Sequence, residues 1–265
     1  MTLQINPQTG YYQHYPHDPE RFEFDSEVAL TFLDMATRSI PLYHTVHRGH
    51  AGLVAAYWAE RRPRVVLDIG ASTGVFLQHL GSQLRAHWGE DFPTEVTAYA
   101  VDQSPAMLEQ VQRSLPWVHT VTADITESAL VLPLADVINM TYVLQFIPEE
   151  QRAAVLAWVY RQLRPGGLLL LAQKENVLGR PALWFDGQYR RFRLDNGYSA
   201  AEIDAKNRAL RTVMWPVSRP ALEAWLQQLG FQDIQATFRW LQFSALLAIK
   251  PAALTLGAVD GHDSG

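Results

Sequence analysis

The sequence predicts an α/β fold: a mostly parallel sheet of seven strands, helices on both faces, and a helical cap over one edge. Three observations predict it. Short, almost wholly apolar runs alternate with segments of helical period, the pattern of strands buried on both faces. Three of these runs finish on an acid, with Asp68 just inside the end of the first and Asp102 and Asp124 closing the second and third. A glycine turn, Gly70-Ala71-Ser72-Thr73-Gly74, leads from the first run into a helix, at the edge where open α/β sheets bind ligands.

The elements follow in order along the chain. Residues 1–24 are polar and aromatic, with Tyr11, Tyr12, Tyr15 and Phe22 but no period, and are read as an arm. From Asp25 the pattern turns helical, with Val28, Phe32 and Met35 at i, i+4 and i+7 behind Asp25 or Ser26 as cap. Pro41 ends that helix, and Leu42 to Glu60 makes a second. Val65–Ile69 is the first strand. Phe76, Leu80 and Leu84 mark a helix, and Val96–Val101 is the second strand, closed by Asp102. Ser104-Pro105 is a helix start, Ser as cap and Pro in the first turn. Val118–Ala123 and Ala135–Tyr142 are strands three and four. Val155, Val159 and Leu163 give a helix stopped by Pro165-Gly166-Gly167, and Leu168–Ala172 is strand five. A less regular insert runs from Glu175 to Pro216. After it come a helix around Leu222–Leu229 and a hairpin-like pair, Phe231–Trp240 and Phe243–Lys250, before a frayed tail.

Composition sets the outer bounds. A chain of 265 residues, 48% hydrophobic and 18% charged, supports one domain with a sizeable core. Sixteen glycines and 11% aromatics exclude collagen, disorder and coiled coil. Cysteine is absent, which removes disulfides, zinc knuckles and thiol nucleophiles. The start, MTLQINPQTGYYQHYPHDPE, lacks the basic and apolar parts of a secretory signal. No apolar stretch approaches the ~18 residues a bilayer span needs. A net charge of -5 argues against nucleic acid as partner. A cytoplasmic enzyme of small molecules is the expectation.

The acids and the glycine turn carry the chemistry. Glycine lets the backbone turn sharply and leaves room for a ligand against it. No Gly-Lys-Ser/Thr follows, so this is not a phosphate-cradling P-loop, and the third glycine of the dinucleotide fingerprint is missing. Asp68 can orient the turn or meet a ligand amine. Asp102, at a strand end, can accept both hydroxyls of an adenosine ribose. Asp124 beside the apolar Ile125 suits the exocyclic amine of an adenine. No nucleophile elbow is present, so hydrolase chemistry is set aside.

With these residues in place, the chain resembles the class I S-adenosylmethionine-dependent methyltransferases over Val65 to Gln173, on the glycine turn, Asp102, Asp124 and Leu163-Arg164-Pro165-Gly166-Gly167. The resemblance narrows to the carboxy-S-adenosylmethionine synthase family over about Phe32 to Lys250. It is carried by Phe32-x-Asp34-Met35-x-x-Arg38-Ser39-Ile40-Pro41-x-Tyr43, Asp102-Gln103-Ser104-Pro105-Ala106-Met107, Leu144-Gln145-Phe146 and Asn196-Gly197-Tyr198-Ser199, together with the end from Phe243 to Lys250. The resemblance implies a Rossmann-like class I methyltransferase fold in one domain, 1–265. Within it, 1–60 holds the arm and cap helices, 64–174 the cofactor-binding core, 175–216 the cap insert, and 217–250 the last helix and strand pair. It implies S-adenosylmethionine as cofactor, a small-molecule substrate and a homodimer, with the 188–193 segment as an aromatic and basic contact.

Cofactor contacts implied by the resemblance, with the glycine turn, fall on Tyr43, Asp68, Gly70, Ala71, Ser72, Gly74, Asp102, Gln103, Asp124, Ile125 and Thr141. Relatives place an asparagine where Thr141 stands; Asn139, two residues earlier, lies on the same strand face. Asn139, Tyr142 and Tyr198 are the candidate catalytic residues, and Gln145, Asn207 and Arg208 the candidates for substrate or cap. Where relatives hold an extra carboxylate with an arginine, this chain has Asn207. Arg208 is one residue on, rotated by about 100 degrees on a helix.

His44, His47 and His50 recur without a Cys or carboxylate at ligand spacing, so they are read as a solvated or cofactor-flanking face and no metal is expected. Tyr189-Arg190-Arg191-Phe192-Arg193 is read as a lid or subunit contact. The leading function is methyl transfer to a small, secondary-metabolite or amino-acid-like acceptor, which needs positioning more than acid–base groups. The alternative makes S-adenosylmethionine itself the substrate. It would either cyclise to azetidine-2-carboxylate plus methylthioadenosine, or be carboxylated from prephenate.

Overall fold

Seven strands pair into one sheet among the described residues: β1 Val65–Ile69, β2 Thr97–Asp102, β3 Val118–Thr122, β4 Ala135–Thr141, β5 Leu163–Lys174, β6 Gln232–Trp240 and β7 Phe243–Ile249. This is a computed structural model, which describes residues 26–252 apart from 90, 91, 93, 94, 128 and 129. The arm over 1–24, the candidate cap Asp25 and the tail from 253 lie outside the described residues. The strand order is β3-β2-β1-β4-β5-β7-β6. Pairings from β3 to β5 are parallel, and β7 runs antiparallel between β5 and β6.

The alternation of side chains along each strand builds two cores. Val66, Ala98, Val137 and Leu170 face one way, and there they meet α2 (Tyr43–Arg61) and α3 (Val75–Trp88) through Val54, Trp58, Phe76 and Leu80. Leu67, Ile69, Ile138, Met140 and Leu171 face the other way. They pack on α5 (Glu149–Gln162) and α8 (Arg219–Leu229) through Leu156, Val159, Leu222 and Leu226. Strands covered on both faces have no polar alternation to show, which is why they appear in the sequence as continuous apolar runs. α4 (Pro105–Ser114) lies against β2 and β3, and α1 (Ser26–Ser39) packs on α4 through Met107.

Two features differ from expectation. The insert at 175–216 contains two helices, α6 (Arg180–Asp195) and α7 (Ala200–Leu210). The turn between them holds Gly197 at φ 86, and Ser199 opens α7 with a reciprocal capping box: its hydroxyl accepts from Glu202 N, and Glu202 accepts from Ser199 N. Charged residues on the outer faces had hidden the helical period. The Pro165-Gly166-Gly167 segment lies inside β5, at a register shift between Ala135 and Val137, because α5 has already ended at Gln162. No helix among the described residues is long and apolar enough to cross a membrane.

Candidate functional site

The glycine turn is locked against β2. The N–H groups of Gly70 and Ala71 both donate to Val101 O, at 2.8 and 3.1 Å. Gly70 has φ 66, and a Cβ there would collide with Val143. Gly74 caps α3 at φ 78, against Val111 and Leu115, away from the cavity wall. Ser72 holds φ 50, a left-handed conformation unusual outside glycine. Its N–H donates to Asp102 Oδ2 at 2.8 Å, while Ser104 N donates to Oδ1 at 2.9 Å. Ser104 thus uses its backbone, with no side-chain cap bond. Burial pushes the Asp102 pKa up, and the backbone donors work against that. Each carboxylate oxygen can still accept another hydrogen bond, which suits a diol. Asp124 Oδ1 accepts from Thr126 N and Oγ1, both at 2.8 Å, beside Ile125.

Behind the turn lies a buried polar chain. Asn139 Nδ2 donates to Asp68 Oδ1 at 2.7 Å. Asn139 Oδ1 accepts from Thr141 Oγ1 at 2.8 Å and from His50 Nδ1 at 2.9 Å. An amide oxygen only accepts, so this contact puts the His50 proton on Nδ1. Burial brings the His50 pKa down to about 4, against the hydrogen bond to Asn139. Burial raises Asp68 to about 7, opposed by the Asn139 bond and aided by the charge of Asp102.

These groups open into a cavity of about 890 Å³. One wall is aromatic: Tyr189 meets Phe243 at 5.1 Å between ring centroids, Phe243 meets Tyr142 at 6.4 Å, and Tyr142 stacks on Tyr43 at 6.2 Å. His47 meets the edge of Tyr43 at 4.5 Å, with neither ring nitrogen hydrogen-bonded. Burial holds His47 well below its ordinary pKa, with His50, His79 and His44 adding to the effect. Tyr142 sits at φ 64 with its hydroxyl unpartnered. A bulky residue held in that conformation carries backbone strain that the packing around it must offset.

Most of the sequence-derived residues border this one cavity. Tyr43, Asp68, Gly70, Ala71 and Ser72 do so from α2, β1 and the turn. Asp102, Gln103, Asp124 and Ile125 do so from the ends of β2 and β3, and Thr141, Tyr142 and Gln145 from the end of β4. Asn207 reaches it from α7, whereas Arg208 is exposed and off the wall. Asn139 and Tyr198 do not fit the expectation that they act on a substrate directly. Asn139 is 0% exposed behind Asp68. Tyr198 is a joint of the cap: its hydroxyl accepts from Ser39 Oγ and Lys206 Nζ, and Arg38 lies over its ring at 4.5 Å.

The 188–193 run divides by helix face. Arg190 pairs with Asp204 and Arg191 with Asp195, while Tyr189 and Arg193 turn inward, so those two are not free for a subunit contact. Of the histidines read as a solvated or cofactor-flanking face, His44 is exposed, while His47 and His50 are buried because α2 packs that face toward β4 and the turn, with His47 on the cavity wall. Lys174, Arg193 and Lys206 also line the cavity. Sequence reasoning did not single out Lys174 or Lys206, and it read Arg193 only as part of the 189–193 lid or subunit contact; the signal for its inward turn was the i, i+4 spacing of Tyr189 and Arg193.

Comparison with known proteins adds the following. The model of the family described as "Methyltransferase domain" matches residues 43–236. The carboxy-S-adenosyl-L-methionine synthase of Desulfotalea psychrophila is 33% identical over 246 residues, covering 89% of this chain and 95% of that protein. The synthase of the same name from Helicobacter hepaticus is 31% identical over 245 residues, covering 87% and 95%. Among solved structures, the CurJ carbon methyltransferase matches with a TM-score of 0.63 at 15% identity, over 89% of this chain and 61% of its own, a likeness of fold alone.

Proposed function

The chain belongs to the methyltransferase-domain family, and from that premise we propose that S-adenosylmethionine occupies the cavity as the substrate itself. Its amino group displaces methylthioadenosine from its own γ-carbon and closes azetidine-2-carboxylate. The observation that carries this is Asp68. The carboxyl is buried on the cavity wall beside the glycine turn, with one oxygen held by Asn139 and a pKa of about 7. An α-amino group ordinarily titrates near ~8, so the two are matched for proton transfer. Asp68 can thus accept a proton from an amine of the ligand itself.

S-adenosylmethionine supplies a carbon made electrophilic by its sulfonium leaving group. In the displacement the N–C bond forms, the C–S bond breaks, and its electron pair leaves on sulfur as a neutral thioether. Asp102 holds the ribose, and Asp124 with Ile125 the adenine. The Tyr43 and Tyr142 rings offer faces to the sulfonium. Burial on the cavity wall disfavours an ammonium and so favours the free amine. Asp68 takes the amine proton, and the unprotonated ring nitrogen of His47, which has no partner, can accept a hydrogen bond from the amine.

Carboxylation is the second reading, favoured by the name that relatives at 33% and 31% identity bear. The position where the resembled family carries an arginine clamp is Asn207 here, an amide that accepts from Arg193. Methyl transfer to a separate acceptor is the third. Purified enzyme incubated with S-adenosylmethionine, with and without prephenate, separates them by mass spectrometry. Methylthioadenosine and azetidine-2-carboxylate from S-adenosylmethionine alone support cyclisation. Carboxylated cofactor formed only with prephenate, or a methylated product without methylthioadenosine, overturns it. A homodimer belongs to the same proposal; light scattering that gives a monomer at micromolar concentration removes it.

A further inference from the structure

Five cations from β5 and the cap line the cavity; Arg190 pairs with Asp204 and Arg211 is exposed, which leaves three that are buried or half-buried with no carboxylate against them. Arg193 is 4% exposed, Lys206 is 8% exposed, and Lys174 is half-buried at the end of β5. None makes an ion pair among the described residues. Asp186, an exposed acid on the same wall, contributes only a longer-range field to Lys174 and Arg193. Burial and then the Arg193 charge bring Lys206 down to about 7, and the same causes hold Lys174 below its ordinary range. Like charges gathered in a buried site are costly unless an anion joins them.

Arg193 indicates which anion. Its Nη1 donates to Asn207 Oδ1 at 2.9 Å, its Nε is buried without a partner, and its Nη2 has no hydrogen bond among the described residues. Nε and Nη2 form the side-on edge of the guanidinium, a planar pair of donors that matches the two oxygens of a carboxylate. The guanidinium and Lys174 Nζ both lie over the Tyr189 ring, at 4.1 and 4.9 Å, so the aromatic wall runs up to this pole.

The geometry points to a carboxylate-binding subsite formed by Arg193, Lys174 and Lys206 at the cap end of the cavity, apart from the nucleoside end at Asp102 and Asp124. The carboxylate comes from one of two sources. One is the α-carboxylate of S-adenosylmethionine itself, folded back along the tyrosines, and this source rests on the occupancy proposed above. The other is a separate small carboxylate bound beside the nucleoside.

Calorimetry on the full chain distinguishes them, using wild type, Arg193→Gln and Lys206→Met. The first arm compares S-adenosylhomocysteine with its decarboxylated analogue. The second titrates phenylacetate into protein saturated with that analogue. Arg193→Gln should cost at least about tenfold in one arm, the loss expected for a bidentate charged contact. Loss in the first arm assigns the ligand's own carboxylate, and loss in the second a separate molecule. Changes under about threefold for both variants in both arms overturn the subsite.

Thermal melting guards against a structural artefact. An unpaired buried cation does not support the empty fold, so ligand-free Arg193→Gln should melt at or above wild type, with a smaller ligand-induced rise. A lower ligand-free midpoint with an unchanged rise would mean that Arg193 is structural and would also overturn the subsite. If wild type fails to bind S-adenosylhomocysteine, the occupancy proposal fails instead, and phenylacetate titrated into free protein still tests the three cations.

Discussion

Asn139→Ala removes the amide at the centre of the buried chain behind Asp68. Three groups lose a partner: the Asp68 carboxyl, the Thr141 hydroxyl and the His50 N–H. Thr141 Oγ1 and His50 Nδ1 already stand 3.1 Å apart and can satisfy each other. Asp68 has no such substitute. Stranding one buried polar group costs roughly 1–3 kcal/mol, and the vacated volume about 1 kcal/mol more. The expected loss is therefore about 2–4 kcal/mol, or a melting midpoint lower by about 5–15 °C for a domain of this size. Urea unfolding at pH 7, followed by tryptophan fluorescence, measures it. The same variant tests the chemistry. The Asn139 bond holds the Asp68 pKa down against burial, so its removal should move the rising limb of the pH–rate profile upward from about 7. A stability loss below about 1 kcal/mol, or an unmoved limb, would refute the claim that Asn139 supports Asp68.

Asp102→Asn keeps the shape but presents an amide to one of two backbone donors; affinity for S-adenosylhomocysteine should fall about 10- to 150-fold, from ~1.5–3 kcal/mol for a charged hydrogen bond. Unchanged calorimetric affinity in a folded variant removes the ribose assignment. The Asp68 pKa is raised from 3.8 to about 7, so in wild type its protonated form supports the fold at low pH, and that support drains away as pH climbs through about 7. Asp68→Asn should therefore gain stability on wild type between about pH 4 and 7 and hold a constant lead above, read from ligand-free melts across pH; a lead that shrinks as pH rises contradicts the burial argument. Tyr142→Phe deletes a buried hydroxyl with no partner, so it should leave stability unchanged or raise it by up to about 1 kcal/mol. Tyr142→Leu should instead weaken substrate binding by about 0.5–2 kcal/mol through the lost ring face, and equal binding by both variants would exclude that face from holding the sulfonium.

Strand runs, the glycine turn and the acids at Asp102 and Asp124 were legible because their causes are local. A strand buried on both faces must be apolar at every position, and the turn that follows it must carry the residues its backbone angles allow. Strand period alone put Asn139 and Thr141 on one side, where they are hydrogen-bonded. Nothing local told that Asn139 lies behind Asp68 instead of on the wall, since that depends on which layer α2 fills with His50. The cap was the least legible part. Tyr189 and Arg193 share a helix face with the spacing of an ordinary amphipathic helix, and Arg190 and Arg191 beside them look no different in the chain. Only the docking of α6 and α7 over the sheet edge decides that Arg193 is drawn inward to Asn207 while Arg190 stays outside with Asp204. The sequence by itself determined the sheet and the acids at its edge, because backbone period and turn geometry are set within a few residues. The tertiary structure decided which charges are buried, because burial depends on what packs against a helix from far along the chain.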